Sequence, residues 1–234
     1  MSTHTLDGWH FAAATLRDGR PLPKRGDILT HDGPVVPCES GLHMSVRAID
    51  ALTHAPGAMV ARVRISGEVV AHGNDKWAAS RREMLTDYVD ATRVLHEFGC
   101  WCATNAMDVC EARGVAVDPR SRNAVVVKRR WLDGKATAED LAAARDAAWA
   151  AARAAAWDPA RAAAWAAARD AAWDAARAAA WDAAWAAARA AARDAARAAA
   201  WAAARDAAWD AASDAQNTEL ERMLSELVGL EVTR

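Results

Sequence analysis

Residues 58–65 read Ala-Met-Val-Ala-Arg-Val-Arg-Ile, and the alternation sets Met59, Ala61, Val63 and Ile65 against Arg62 and Arg64. A period of two with opposed polarity marks a strand with one buried face. Ser66-Gly67 follows, and Glu68 to His72 then reads as the partner of a hairpin. Upstream, Trp9 to Ala14 and Ile28 to His31 are further expected strands. Dense turn signals separate them, among them Asp18-Gly19, Pro21, Pro23, Gly26 and Asp32-Gly33-Pro34. Ser45 to His54 reads as a short helix with Ser45 as N-cap and Pro56 just beyond its end. Strands with an interposed helix predict a small α+β domain over residues 1–112.

Downstream the pattern turns helical. Asp90 to Arg113 carries Val94, Leu95, Phe98, Cys102 and Met107 near helical spacing, with Gly99 weakening its middle. A turn at Asp118-Pro119 and a short helix from Asn123 to Leu132 predict a helical connector over 113–136. Thr137-Ala-Glu-Asp140 then has a hydroxyl at the N-cap and carboxylates in the first turn, a capping-box start.

The next stretch is compositionally extreme. Residues 141–214 hold 45 Ala, 8 Trp, 9 Arg and 9 Asp in 74 positions. From Arg145 to Trp209 every fourth residue is Arg or Trp. Ala is the strongest helix former, so local propensity is helical throughout. Four residues advance a side chain about 40° past a full helical turn. The heavy side chains therefore spiral around the helix, whereas a coiled coil needs a repeat near 3.5. Trp149, Trp157, Trp165, Trp173, Trp181, Trp185, Trp201 and Trp209 would face every direction on one straight helix. Each indole gains several kcal/mol on burial, at ~25 cal/mol/Å² over ~150–250 Å². The expectation is an all-α alanine/tryptophan-rich helical array over 137–234, with these Trp as an interaction surface. Leu220, Met223, Leu224, Leu227 and Leu230 form an ordinary amphipathic helix that could cap it.

Composition excludes several classes. Eight Trp in one segment is too much apolar surface for a disordered chain, and recurring charges interrupt any membrane span. Net charge is −2, and Asp equals Arg within the repeat. Interleaved Arg and Trp can bind single strands, but the cancelled field argues against nucleic acid as partner. No apolar run follows a basic amino terminus, so the expected compartment is the cytoplasm of a bacterial host cell, with reduced thiols.

Four cysteines and seven histidines invite a site. His96, Cys100, Cys102 and Cys110 lack the paired CxxC spacing of a zinc knuckle, and thiols packed as small hydrophobes are the preferred reading. Cys38-Glu39 and His43 lie in a Gly-containing loop with His31 upstream, where an imidazole could serve a thiol nucleophile. The candidate ligand-binding residues are thus His31, Cys38, Glu39, His43 and Ser45. No catalytic set, metal or cofactor is expected.

Three resemblances bear on function. Asp7-Gly8-Trp9-His10-Phe11, Cys38-Glu-Ser-Gly-Leu-His43-Met-Ser45, Asp50-Ala51-Leu52, Ala55-Pro-Gly57, Val63 to Val70 and Asp75-Lys76 together resemble an uncharacterised domain of phage and actinobacterial proteins, over about residues 5–100. The repeat, with its Gln216-Asn217-x-x-Leu220-x-x-Met223-Leu224 ending, is similar to the alanine-rich repeats of immunity proteins of toxin conflict systems and phages. Together these imply a non-enzymatic phage or mobile-element protein acting as an immunity or anti-defence factor. It would bind and neutralise a protein partner or a small nucleotide-like ligand. Gly41-Leu-His43-x-Ser45, followed by a helix and a strand, resembles ADP-ribosyltransferase-like folds. That likeness implies an alternative, a nucleotide-handling enzyme with His31, His43 and Ser45 lining the pocket, although its usual downstream Glu has no equivalent. Self-assembly into a homo-oligomer through the Ala/Trp helices is the third possibility.

Overall fold

The computed structural model describes residues 5–151 and 210–230. These form two compact units. The first joins residues up to 102 with those from 212 onward, and the second comprises the described residues between 103 and 211.

The first unit is an α+β structure built on a six-stranded antiparallel sheet. Its strands are β1 (Leu6–Ala12), β2 (Ile28–Thr30), β3 (Leu42–Met44), β4 (Met59–His72), β5 (Lys76–Met84) and β6 (Val89–Asp90). β4 lies between β1 on one edge and β5 with β6 on the other, and β5 carries β2 and β3 along its far edge. The alternation in 59–65 does set the register. His10 faces Ala61, Gly8 faces Val63 and Leu6 faces Ile65, while Trp9 pairs with Arg62 and Phe11 with Val60. Beyond β3, Ser45 exchanges two backbone hydrogen bonds with Trp9, at 2.7 and 3.1 Å. The path β1-β4-β5-β3 thus returns to β1, and the sheet closes on itself.

The closed sheet has two apolar sides. Met44, Ala61, Val63, Ile65, Ala79 and Met84 pack together on the inner side. On the outer side Trp9, Phe11 and Val60 meet Ala48 and Ala51 of α1 (Ala48–Thr53) and Ala91 and Phe98 around the start of α2 (Thr92–Ala112). The same outer cluster contains Leu220 and Leu224, both fully buried. They come from a helix over 210–227, which covers the outer face of the sheet. Each such aliphatic side chain contributes about 1.5–3 kcal/mol by leaving water.

Two expectations are corrected here. Ser66-Gly67 is no hairpin turn, because β4 runs through it with a register shift between Ser66 and Val69, and the reversal comes at Gly73-Asn74. Gly67, at φ 81°, supplies the left-handed conformation the irregularity needs. Nor does Ser45 cap α1, since its backbone is committed to Trp9 and Arg47 is the N-cap, without a side-chain cap of its own. The orphan amides of α1 are satisfied from the far end of the chain instead. Ala48 N–H donates to Glu221 Oε1 at 3.2 Å and Ile49 N–H to Asn217 Oδ1 at 3.1 Å. Arg47 in turn reaches Asp214 at 2.9 Å and Ser213 at 3.2 Å.

In the second unit, α3 (Pro119–Leu132) starts with Asp118 as N-cap, its carboxylate accepting from Arg120 N–H at 2.9 Å, with Pro119 at the first helical position. Arg120 also binds that carboxylate and holds it at a pKa of about 2. Arg122 ties α3 to Asp108 and Glu111 at 2.8 and 2.6 Å. The capping box opens a helix over 138–151, where Asp140 N–H donates to Thr137 Oγ1 at 3.1 Å and Thr137 N–H to Asp140 Oδ2 at 2.9 Å. Trp149, within this helix, is 60% exposed. Trp157, Trp165, Trp173, Trp181, Trp185, Trp201 and Trp209, and with them most of the expected array, lie outside the described residues.

Candidate functional site

The loop 31–41 and strand β3 bring two of the five candidate residues into contact. Pro34 O accepts from Ser40 Oγ at 2.7 Å, and Glu39 N–H donates to Val36 O at 3.0 Å, folding the loop into a compact turn. Cys38 sits at its exposed crest with φ 71°, a left-handed conformation uncommon for a residue with a side chain. Its backbone N–H donates to His43 Nε2 at 3.2 Å, and its Sγ lies 3.4 Å from Lys76 Nζ at the start of β5. His31 stands at the other end of the loop, its Nε2 3.2 Å from Pro34 O and its N–H bonded to Ser80 O. Glu39 is exposed on the turn. Ser45 is only 2% exposed, at the closure with Trp9.

The His43 ring accepts a backbone proton at Nε2, so that nitrogen carries none. The imidazole is therefore engaged with the Cys38 backbone, and Lys76, not His43, is the side chain against the sulfur. Burial, and then the positive charges of Lys76, Arg82 and Arg17, hold His43 below the usual imidazole range.

Behind His43 is a polar group inside the closed sheet. Arg82 pairs with Ile65 of β4 and Leu29 of β2, which turns its side chain inward. It is 3% exposed. One terminal nitrogen donates to His43 O at 2.9 Å, and its buried Nε–H has no partner. Nearby, His10 Nδ1 and the Tyr88 hydroxyl share a hydrogen bond of 2.6 Å. Burial, reinforced by the charge on Arg82, pushes His10 well below its usual value, so the ring is neutral. Burial raises Tyr88. Arg82 and Lys76 escape a sequence reading because an arginine or lysine in a strand reads as solvent-facing, and His10 with Tyr88 because they meet across 78 residues.

Among the described residues no three His, Cys, Asp or Glu side chains gather as a metal site, and no helix is long and apolar enough to cross a membrane. Cys100 is buried, Cys102 half-buried and Cys110 exposed along α2. Comparison with protein-family models, curated proteins and solved structures found no match.

Proposed function

We propose that this chain is a non-enzymatic binding protein of phage or mobile-element origin, an immunity or anti-defence factor that captures and neutralises a partner through its Arg/Trp helices. The carrying observation is the discontinuity of the first unit. The polypeptide leaves it at residue 102 and re-enters at 212, where Leu220 and Leu224 complete its core. Residues 103–211 are thus an insertion, in sequence, between two parts of one unit. Trp149, at 60% exposure, offers the large flat side chain typical of binding hot spots. The finer picture of an all-α array extending from it belongs to this proposal.

The test uses the full chain and a variant with Trp149, Trp157, Trp165 and Trp173 replaced by Ala, each as bait against host and phage lysates. A partner recovered stoichiometrically by the wild type and lost by the variant is the expected result. Identical recovery by both baits refutes the assignment.

Self-assembly is the second reading, favoured by the same exposed Trp149. Light scattering separates the two: a wild-type oligomer that becomes monomeric in the four-Trp variant favours self-association. The nucleotide-handling reading is less favoured, because Ser45 is enclosed and His43 is already engaged with Cys38.

A further inference from the structure

Among the described residues Cys38 is the only one other than glycine with a positive φ, at 71°. That conformation crowds a Cβ against the backbone, and glycine or asparagine would adopt it more cheaply. Strain of this kind persists where the surroundings fix it, and it points to function when the same residue also makes a chemically distinctive contact. Cys38 makes one. Its Sγ lies 3.4 Å from Lys76 Nζ, and among the described residues that nitrogen has no carboxylate partner to draw it elsewhere.

Both atoms are carried on ordered backbone. Cys38 N–H donates to His43 Nε2 at 3.2 Å. Two residues on, Ser40 Oγ accepts from Val36 N–H at 3.1 Å and donates to Pro34 O at 2.7 Å, which fixes the turn below the crest. Lys76 opens β5 and pairs with His72 of β4 across the reversal. The thiol is exposed, so small solutes reach it. Cys110 is equally exposed but has no amine contact among the described residues. A thiol and an amine are both nucleophiles and do not react with each other. Oxidation of the sulfur changes that, because a sulfenic acid condenses with a nearby nitrogen.

We infer that Cys38 and Lys76 form a peroxide-responsive cross-link, a sulfenamide bond between Sγ and Nζ that ties the crest of the 31–41 loop to the start of β5. In the first step the Cys38 sulfur attacks a peroxide oxygen. The O–O bond breaks, sulfur is oxidised to the sulfenic acid, and the peroxide is reduced to water or an alcohol. In the second, the Lys76 ammonium gives a proton to solvent and its lone pair attacks Sγ. The S–O bond breaks as the S–N bond forms, and the oxygen leaves as water with a second proton from the nitrogen. A thiol reductant reverses the bond: one thiol attacks Sγ and releases the amine, and a second frees Cys38 by leaving as the disulfide of the reductant. The cross-link is independent of the Arg/Trp helices, so it stands or falls apart from the binding function proposed for them.

Peptide mass spectrometry of the full chain tests this, after hydrogen peroxide treatment and alkylation of the remaining thiols. The expected product joins the Cys38 and Lys76 peptides, with a mass lower than their sum by two hydrogen atoms, and dithiothreitol should abolish it. Cys110 should instead gain oxygen atoms. Lys76→Arg keeps the positive charge without a primary amine. It should lose the joined peptide and carry Cys38 on to the sulfinic acid. Absence of the joined peptide from the wild type overturns the proposal. So does loss of two hydrogens at Cys38 that persists in Lys76→Arg, which would place the bond on the Glu39 backbone nitrogen, and so does a disulfide from Cys38 to another cysteine as the main product.

Discussion

The carboxylate of Glu221 accepts a hydrogen bond from the backbone N–H of Ala48 at 3.2 Å, across a sequence separation of 173 residues. With the neighbouring bond from Ile49 N–H to Asn217 Oδ1, it gives α1 a cap that its own flanking residues do not provide. A six-residue helix is too short to persist on propensity alone. α1 is therefore formed by its surroundings, with Ala48 and Ala51 buried beneath it and the 210–227 helix closing its amino end.

Removing these caps should weaken the fold measurably without unfolding it. Glu221→Ala and Asn217→Ala are each expected to cost about 1 kcal/mol, the usual loss for an N-cap side chain. Urea unfolding of the full chain reads this as a lower midpoint at unchanged slope.

The apolar contacts of the same helix should matter more. Leu224→Ala leaves a void in the outer cluster, with an expected loss of about 2–5 kcal/mol. Leu230→Ala, at a position 37% exposed, should stay within about 0.5 kcal/mol of wild type. Equal losses at the two sites would mean that the helix does not seat as described.

Closure of the sheet depends on a missing side chain. A Cβ at Gly8 would collide with Met44 Sδ and with the backbone carbonyl of Ser45, and the carbonyl is held by its bond to Trp9 N–H. Gly8→Ala should cost about 1–3 kcal/mol as an overpacking change. The loss should appear in unfolding midpoints and as faster amide exchange at Trp9 and Ser45.

Acid should destabilise the protein through His10. Its folded value lies well below 6.5 because of burial, with the charge of Arg82 and the neighbouring His43 acting in the same direction. The unfolded chain therefore takes up a proton as the pH falls through about 6.5 while the folded protein does not. This contribution is fully present above that value and is lost as pH falls below it, by up to ~1.4 kcal/mol per pH unit for one group. Melting temperature should decline from about pH 7.5 to 5.5, more gently in His10→Asn than in wild type. Parallel declines would remove His10 as the cause.

Local signals carried much of this structure. The alternation of Met59, Ala61, Val63 and Ile65 identified the central strand, and Thr137 with Asp140 form the expected reciprocal cap. Asp118-Pro119, read as a turn, is a helix start, because Asp caps and Pro fits the first helical position. What stayed hidden is non-local. The spacing of Leu220 and Leu224 announces an apolar face without naming its partner, which proved to be the sheet bearing Trp9. Strand β5 shows no clean local alternation, because Arg81 and Arg82 are adjacent polar residues, yet Arg82 points inward. The nearness of Cys38 and His43 is legible in their loop, but His43 meets the Cys38 backbone N–H and not the thiol. The positions of Lys76 and Arg82 come from strand pairings that no local pattern encodes.

The placement of Leu220 and Leu224 also orders events during synthesis. The outer cluster around Trp9 and Phe11 stays open until these leucines emerge, roughly 120 residues after Cys102. At ~5–20 residues per second, that interval is on the order of ten seconds. A product interrupted anywhere in the repeat lacks Leu220 and Leu224, and its outer cluster is covered by α1 and α2 alone. Completion of the outer cluster therefore requires that the whole Arg/Trp segment has first been translated.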